Sequence, residues 1–170
     1  MQHREEITYC FRESALGQLI IAGSAKGVCA VLIGSHQDSL LADLRRRFPQ
    51  ARLKEGGEAM ERLAEKVVAM IEHPSARIDI PLDIRGTDFQ KAVWEAVSNI
   101  PVGQTASYGE IAKRVNLPRA SRAVASACGA NALAVIIPCH RVIKSDGTIA
   151  GYHWGVERRR KLLQLETSHP

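Results

Sequence analysis

No stretch of this 170-residue chain is long and apolar enough to span a bilayer. Its longest apolar runs, Leu19-Ile20-Ile21-Ala22 and Leu133-Ala134-Val135-Ile136-Ile137, fall far short of the roughly 20 residues a membrane helix needs. The opening Met1-Gln2-His3-Arg4-Glu5-Glu6 is polar, and no apolar signal-peptide core follows it. No C-x-x-C pair is present, which argues against a structural zinc ribbon. The four cysteines (Cys10, Cys29, Cys128 and Cys139) could form two disulfides in a secreted domain. Without a secretory signal we expect them reduced, in a cytoplasmic protein. A mixed metal site from Cys10, Cys29 and either His36 or His73 is conceivable. Internal repeats, low-complexity tracts and cofactor motifs are missing as well.

What is present is an ordinary globular composition, 45% hydrophobic, in a length that suits one domain or two small ones. The net charge of +5 is unevenly spread: residues 1–84 hold 11 basic and 12 acidic side chains, residues 85–170 hold 12 and 6. A basic second half fits a polyanionic partner. Part of that charge, Arg158-Arg159-Arg160-Lys161, reads equally well as the solvated face of a helix.

The first third reads as an antiparallel meander. Tyr9-Cys10-Phe11, Leu19-Ile20-Ile21-Ala22 and Val28-Cys29-Ala30-Val31-Leu32-Ile33 are short apolar runs separated by glycine turns. Helices are predicted over 37–47, stopping before Pro49, and over 58–72, stopping before Pro74. Residues 76–86 look like an extended connector, and we divide the chain into domains 1–80 and 81–170. Beyond it, Thr87-Asp88-Phe89-Gln90 is a capping box opening a helix with an apolar stripe of Phe89, Val93, Trp94 and Val97. Ser107-Tyr108-Gly109-Glu110 is a second box, opening a short helix to about Val115. Pro118 is expected to open a third helix ending near Gly129. Two short helices joined by a tight turn suggest a helix-turn-helix. The third helix, Ala120-Ser121-Arg122-Ala123-Val124-Ala125-Ser126-Ala127-Cys128-Gly129, is small nearly throughout. Such a face suits either tight packing on another element or approach to a narrow partner such as a DNA minor groove, with Arg122 reaching in.

Ile136-Ile137-Pro138-Cys139-His140-Arg141-Val142-Ile143 sets a thiol beside an imidazole inside an apolar run. Thiolate is the nucleophile, and a neighbouring histidine is the usual means of making it near neutral pH. A buried cysteine can equally be an inert small hydrophobe. Against that, His140 and Arg141 are polar groups that need partners if buried, and Pro138 interrupts a regular strand. On a regular strand Cys139 and His140 would point to opposite faces, so cooperation demands a bend or a bridging water.

Pro138-Cys139-His140-Arg141 resembles the signature of the O6-alkylguanine-DNA alkyltransferases. Ser107-Tyr108, Arg122-Ala123-Val124, Asn131, Ser145-Asp146-Gly147, Gly151-Tyr152, Leu162-Leu163 and Glu166 stand at that family's spacing. The resemblance is strong over residues 85–166 and looser at Ser14-Ala15-Leu16-Gly17 and Gly27-Val28. It implies an α/β fold with a small ribonuclease-H-like N-terminal domain and a mainly helical C-terminal domain holding a helix-turn-helix. It also implies roles. Cys139 would accept the alkyl group, His140 would act through a water as its base, and Glu166 would orient the imidazole. Asn131 would be a hinge in an unusual backbone conformation. Tyr108 would turn the target phosphate and protonate the departing guanine, and Arg122 would fill the gap left by the flipped nucleotide. Ser121 and Ala123 would lie on the DNA-facing helix. Val142 and the Tyr152 region would line the guanine pocket.

The implied reaction transfers an alkyl group from guanine O6, with O4-alkylthymine as an open extension, onto Cys139. A thioether is not reversed by thiol exchange as a disulfide is, so the protein would act once, without a cofactor. The expected partner is double-stranded DNA carrying O6-alkylguanine, bound by a monomer, with cooperativity along DNA left open. Three departures matter. Only Cys29 lies at a zinc-binding position found in some members, so we expect no metal. The four-cysteine methylation-sensing domain of some bacterial relatives is not within these residues, so a transcriptional role would need another chain or a longer parent. His153 and Trp154 stand where several relatives have small residues, predicting poorer acceptance of bulky adducts. The rival readings are a lesion-binding relative without an acceptor, which Cys139 disfavours, and a cysteine hydrolase, which would require an oxyanion hole.

Overall fold

The computed structural model describes residues 4–76, 78–145 and 152–168. The chain forms two compact units, Met1–Ile84 and Arg85–Pro170.

In the first unit, strands β1 (Glu6–Ser14), β2 (Gly17–Ser24) and β3 (Gly27–Gly34) form the expected antiparallel meander. Gly17 and Gly27 make its turns with φ of 112° and 148°, conformations that side chains with a Cβ rarely adopt. Burial is continuous along β2 and β3 instead of alternating, the pattern of strands covered on both faces. Helix α1 (Gln37–Arg47) packs on β2 and β3, and helix α2 (Glu58–Glu72) on β1 and β2. Both helices have the predicted limits. In α2 the buried residues Met60, Ala64, Val67 and Ile71 form one stripe.

The sheet departs from expectation at its edge. A fourth strand, β4 (Arg52–Glu55), runs parallel to β1, giving the order β3-β2-β1-β4 and a mixed sheet. Its sequence, Arg52-Leu53-Lys54-Glu55, is mostly exposed and carries no apolar period to announce it. It is held by backbone bonds at its ends, Arg52 N–H to Glu5 O (2.7 Å) and Gly56 N–H to Tyr9 O (2.8 Å). Charged residues on such an edge discourage pairing with other chains.

The two compact units meet at 84/85, within the expected 76–86 connector and beyond the expected 80/81 division. Val28 N–H donates to Pro81 O (2.8 Å) and Asp83 N–H to Val28 O (2.9 Å), so the connector adds a short parallel bridge to β3. A Cβ on Gly27 would sit 2.3 Å from the Pro81 carbonyl oxygen, so only glycine admits this crossing. Ser24 Oγ donates to the buried Asp83 carboxylate at 2.7 Å, which ties the same residues to the first unit. Cys10 and Cys29 are buried strand residues. Burial raises the Cys10 thiol to about 11, far from a reactive state.

The second unit is mainly helical, with α3 (Asp88–Ser98), α4 (Tyr108–Arg114), α5 (Ser121–Gly129) and α6 (Val156–Ser168). A two-stranded parallel pair joins β5 (Ala106–Ser107) to β6 (Val142–Ile143). The Thr87–Gln90 capping box is present in both directions, and Ser107 Oγ caps α4 by accepting from Glu110 N–H at 3.0 Å. Trp94 Nε1 donates to Ala127 O at 2.8 Å, fastening α3 to α5. Pro118 does not open the third helix. Instead Leu117 N–H bonds to Ala112 O (2.9 Å) and Asn116 N–H to Lys113 O (3.0 Å), with Asn116 at φ 64°. That is a Schellman stop, and it pushes the start of α5 to Ser121. Among the described residues, no helix is long and apolar enough to cross a membrane.

Candidate active site

Between α5 and β6 the backbone makes a series of tight turns that deliver Cys139. Ile136 N–H bonds to Ala134 O (2.8 Å) across Val135, whose φ is 70°. A β-branched residue held there costs about 1–3 kcal/mol. Cys139 N–H then bonds to Ile137 O (2.8 Å) across Pro138, at φ −81° and ψ 59°, an inverse γ-turn. Cys139–Arg141 follow as one 3-10 turn. The bend that cooperation between Cys139 and His140 demands is thus present, and it removes the opposite-faces objection.

Asn131 secures these turns with its side chain. Its Nδ2 donates to Ile137 O (3.0 Å), more weakly to Leu133 O (3.4 Å), and reaches Cys139 Sγ at 3.5 Å; its Oδ1 accepts from Leu133 N–H at 2.8 Å. The expectation of an unusual backbone at Asn131 is corrected: among the described residues, the left-handed ones other than glycine are Asn116 and Val135. Asn131 is wholly buried, and the amide does the work that was assigned to its main chain.

Cys139 is 2% exposed. A hydrogen bond shared with the Cys128 thiol and burial push its proton affinity up, while the Asn131 amide and the Arg159 guanidinium pull it down. The net direction is upward, so the resting residue is a thiol that needs a base. His140 is fully buried, and burial lowers its pKa despite the opposing pull of Glu166. Its Nε2 lies 2.6 Å from Glu166 Oε1. Burial alone would raise the Glu166 carboxyl, but hydrogen bonds from His140 and Arg141 more than reverse this and hold it at about 2. An ionised carboxylate can only accept, so His140 carries its proton on Nε2 and presents a lone pair at Nδ1. That Nδ1 is buried with no hydrogen-bond partner in the structure.

A family profile described as the DNA binding domain of 6-O-methylguanine DNA methyltransferase matches residues 88–168. A methylated-DNA–protein-cysteine methyltransferase of Methanosarcina barkeri is 39% identical over 161 residues, covering 95% of this chain and 98% of its own length. The chain belongs to the methylated-DNA–protein-cysteine methyltransferase family. The bifunctional transcriptional activator/DNA repair enzyme Ada of Escherichia coli is 42% identical over 163 residues, covering 96% of this chain but 46% of Ada. The chain therefore spans about half the length of some of the relatives it matches. A crystal structure of Mycobacterium tuberculosis OGT in complex with DNA superposes with a TM-score of 0.81 at 35% identity, covering 95% of this chain and 94% of that one.

Other residues picked out by the family signature fall into two groups. Tyr108, Ser121 and Arg122 line one open cleft of about 410 Å³ together with Gly109, Ala125, Lys144 and Ser145. Ala123 is exposed on α5 and is not among its lining residues. Val142 is fully buried and pairs with Ala106 through β6. The buried Tyr152 meets Trp154 edge to face at 5.4 Å, and the Arg159 guanidinium lies over its ring at 5.1 Å. Asp146, Gly147 and Gly151 lie outside the described residues.

Three site residues of this methyltransferase-family chain escaped the sequence reading. Arg141 was expected to need a partner, but nothing local named Glu166, 25 positions away. Cys128 looked like one more small residue of α5. Arg159 was hidden in a basic run that suggested a solvated face. Arg160 and Lys161 do face solvent, whereas Arg159 is 1% exposed and its Nη2 reaches Cys139 O at 3.5 Å.

Proposed function

We propose that this chain repairs DNA by moving an alkyl group from O6 of guanine to Sγ of Cys139. The observation that carries the reading is the buried His140 whose Nε2 is committed to Glu166 and whose Nδ1 is an unused acceptor beside the Cys139 turn. His140 takes the thiol proton at Nδ1 through a bridging water, and the resulting imidazolium is stabilised by Glu166. The thiolate attacks the alkyl carbon. A sulfur–carbon bond forms as the carbon–O6 bond breaks, and guanine leaves with its electron pair, protonated by Tyr108. The thioether product has no route back, so each molecule acts once.

A guanine stacked in a duplex cannot present O6 to a thiol that is 2% exposed, so the reaction requires the nucleotide to be flipped out. In this reading α4 and α5 act as a helix-turn-helix in the minor groove. Ser121 and Ala123 face the DNA, Arg122 fills the vacated stack, and Tyr108 turns the target phosphate. The shared cleft of Tyr108, Ser121 and Arg122 and the small side chains of α5 support that placement. Asn131 acts as the hinge between α5 and Cys139, with Val142 main chain and Tyr152 bordering the base pocket. The N-terminal unit is taken as ribonuclease-H-like, and the protein as a cytoplasmic monomer.

Intact-protein mass spectrometry after incubation with a duplex bearing one O6-methylguanine tests the proposal. It requires one added methyl per chain, located on Cys139 by peptide mapping and lost in Cys139→Ala. Binding to lesion DNA without mass gain would refute transfer in favour of recognition alone. A second duplex with O4-methylthymine sets the substrate range.

A further inference from the structure

Glu166 serves two residues that are adjacent in sequence. Arg141 donates from Nε to both carboxylate oxygens (3.0 and 3.1 Å) and from Nη2 to Oε1 (2.7 Å), while its Nη1 donates to the Ile100 carbonyl (2.7 Å). His140 shares Oε1. The Cys-His-Glu reading gives no role to this guanidinium, although it occupies most of the acceptor capacity of the carboxylate.

A buried imidazole paired with a carboxylate alone would tend to hold a second proton, because the imidazolium would be the only counter-charge available. A protonated His140 could not deprotonate Cys139. Here the bidentate guanidinium balances Glu166 first. We propose that Arg141 is a positioning residue that keeps His140 neutral, and so usable as the base for Cys139, by neutralising the carboxylate the two residues share.

Glu166 favours the imidazolium, and the Arg159 and Arg141 cations oppose it. From α6 come Glu166 and the Arg159 cation, which itself disfavours imidazolium. From the 3-10 turn come Arg141 and the Cys139 thiol, with Cys128 behind it on α5. Tyr152 is held as a phenol by burial. The charged side chains of α3 (Asp88, Lys91 and Glu95) are exposed, and the neighbouring contribution to the site is the Ile100 carbonyl. Burial is the largest cause of the lowered His140 pKa, and the Arg141 and Arg159 cations act in the same direction against Glu166.

The inference rests on the alkyl-transfer reading, and its test separates the two. Single-turnover transfer rates at saturating O6-methylguanine DNA are measured from pH 5 to 9 for the wild type, Arg141→Met and Arg141→Lys. Carbon-13 histidine titration of the wild type reads His140 directly, with its signal identified by loss in His140→Gln. The expected result is a wild-type His140 that titrates below an ordinary histidine. In Arg141→Met the acid limb of the rate profile moves up by about one pH unit, so the loss grows toward about tenfold at pH values below both limbs and is recovered at high pH. Arg141→Lys keeps the wild-type limb. A pH-independent loss in Arg141→Met, an unmoved limb, or a wild-type His140 charged at neutral pH would each overturn the proposal. If Arg141→Met does not fold, the wild-type titration decides alone. Absence of transfer by the wild type at every pH would instead refute the proposed function.

Discussion

His140 and Arg141 follow one another in the chain yet converge on a single atom, Oε1 of Glu166, at 2.6 and 2.7 Å. The convergence needs the 3-10 turn at Cys139–Arg141. A regular strand would send the two side chains to opposite faces.

Acid should weaken the fold through this cluster. The folded pKa of Glu166 is depressed from 4.5 to about 2, so its contribution is complete above 4.5 and lost as pH falls toward 2. A shift of that size corresponds to about 3 kcal/mol. His140 is also depressed, so its contribution is present above the unfolded value of 6.5 and declines below it. Urea unfolding from pH 8 to 3 should show stability falling from about pH 6.5 downward, with the steepest loss below 4.5. In Glu166→Gln the lower part of that dependence should flatten.

Asn131→Ala removes the amide that satisfies Leu133 N–H and Ile137 O. Leaving both buried groups unpaired should cost about 2–4 kcal/mol. Transfer should slow as well, because the same amide reaches Cys139 Sγ. Denaturant midpoints read the first effect and single-turnover rates the second; an unchanged midpoint would refute the clamp.

Methylation of Cys139 should lower the melting temperature. The sulfur lies in a site 2% exposed and contacted by Asn131 and Cys128, and an extra methyl in a filled site costs about 1–3 kcal/mol. Calorimetry of the protein before and after one turnover makes the comparison, and an equal or higher melting temperature afterwards would count against it.

Trp154 is 6% exposed and packs edge-on against Tyr152. Methyl transfer should be faster than benzyl transfer in the wild type, and Trp154→Gly should narrow the ratio. Removing so large a buried ring costs about 3–5 kcal/mol, so the rates should be compared well below the variant's melting point. Equal methyl and benzyl rates in the wild type would remove Trp154 as a steric limit.

Local rules made much of the chain legible. The limits of α1 and α2 follow from prolines two residues beyond their ends, and the start of α3 from the reciprocal Thr87–Gln90 cap. These signals lie within a few residues of what they control, so sequence alone carries them. Cys139, His140, Glu166 and Asn131 were picked out by the family signature, and the structure brings Asn131 to Cys139 and His140 to Glu166. The missed features are those whose cause lies elsewhere in the chain. β4 exists because β1 offers it backbone partners, and Pro81–Asp83 stay with the first unit because Val28 binds them.

Sequence by itself determined the residue types at Cys139, His140, Asn131 and Glu166, the helix ends set by caps and prolines, and the concentration of positive charge after residue 84. Only the tertiary structure decided that Asn131 acts through its amide, that Arg159 is buried within a basic run, and that Arg141 claims the carboxylate His140 also needs. Hydrogen bonds and charge balance depend on distance through space, and residues 25 positions apart acquire a distance only when the chain folds.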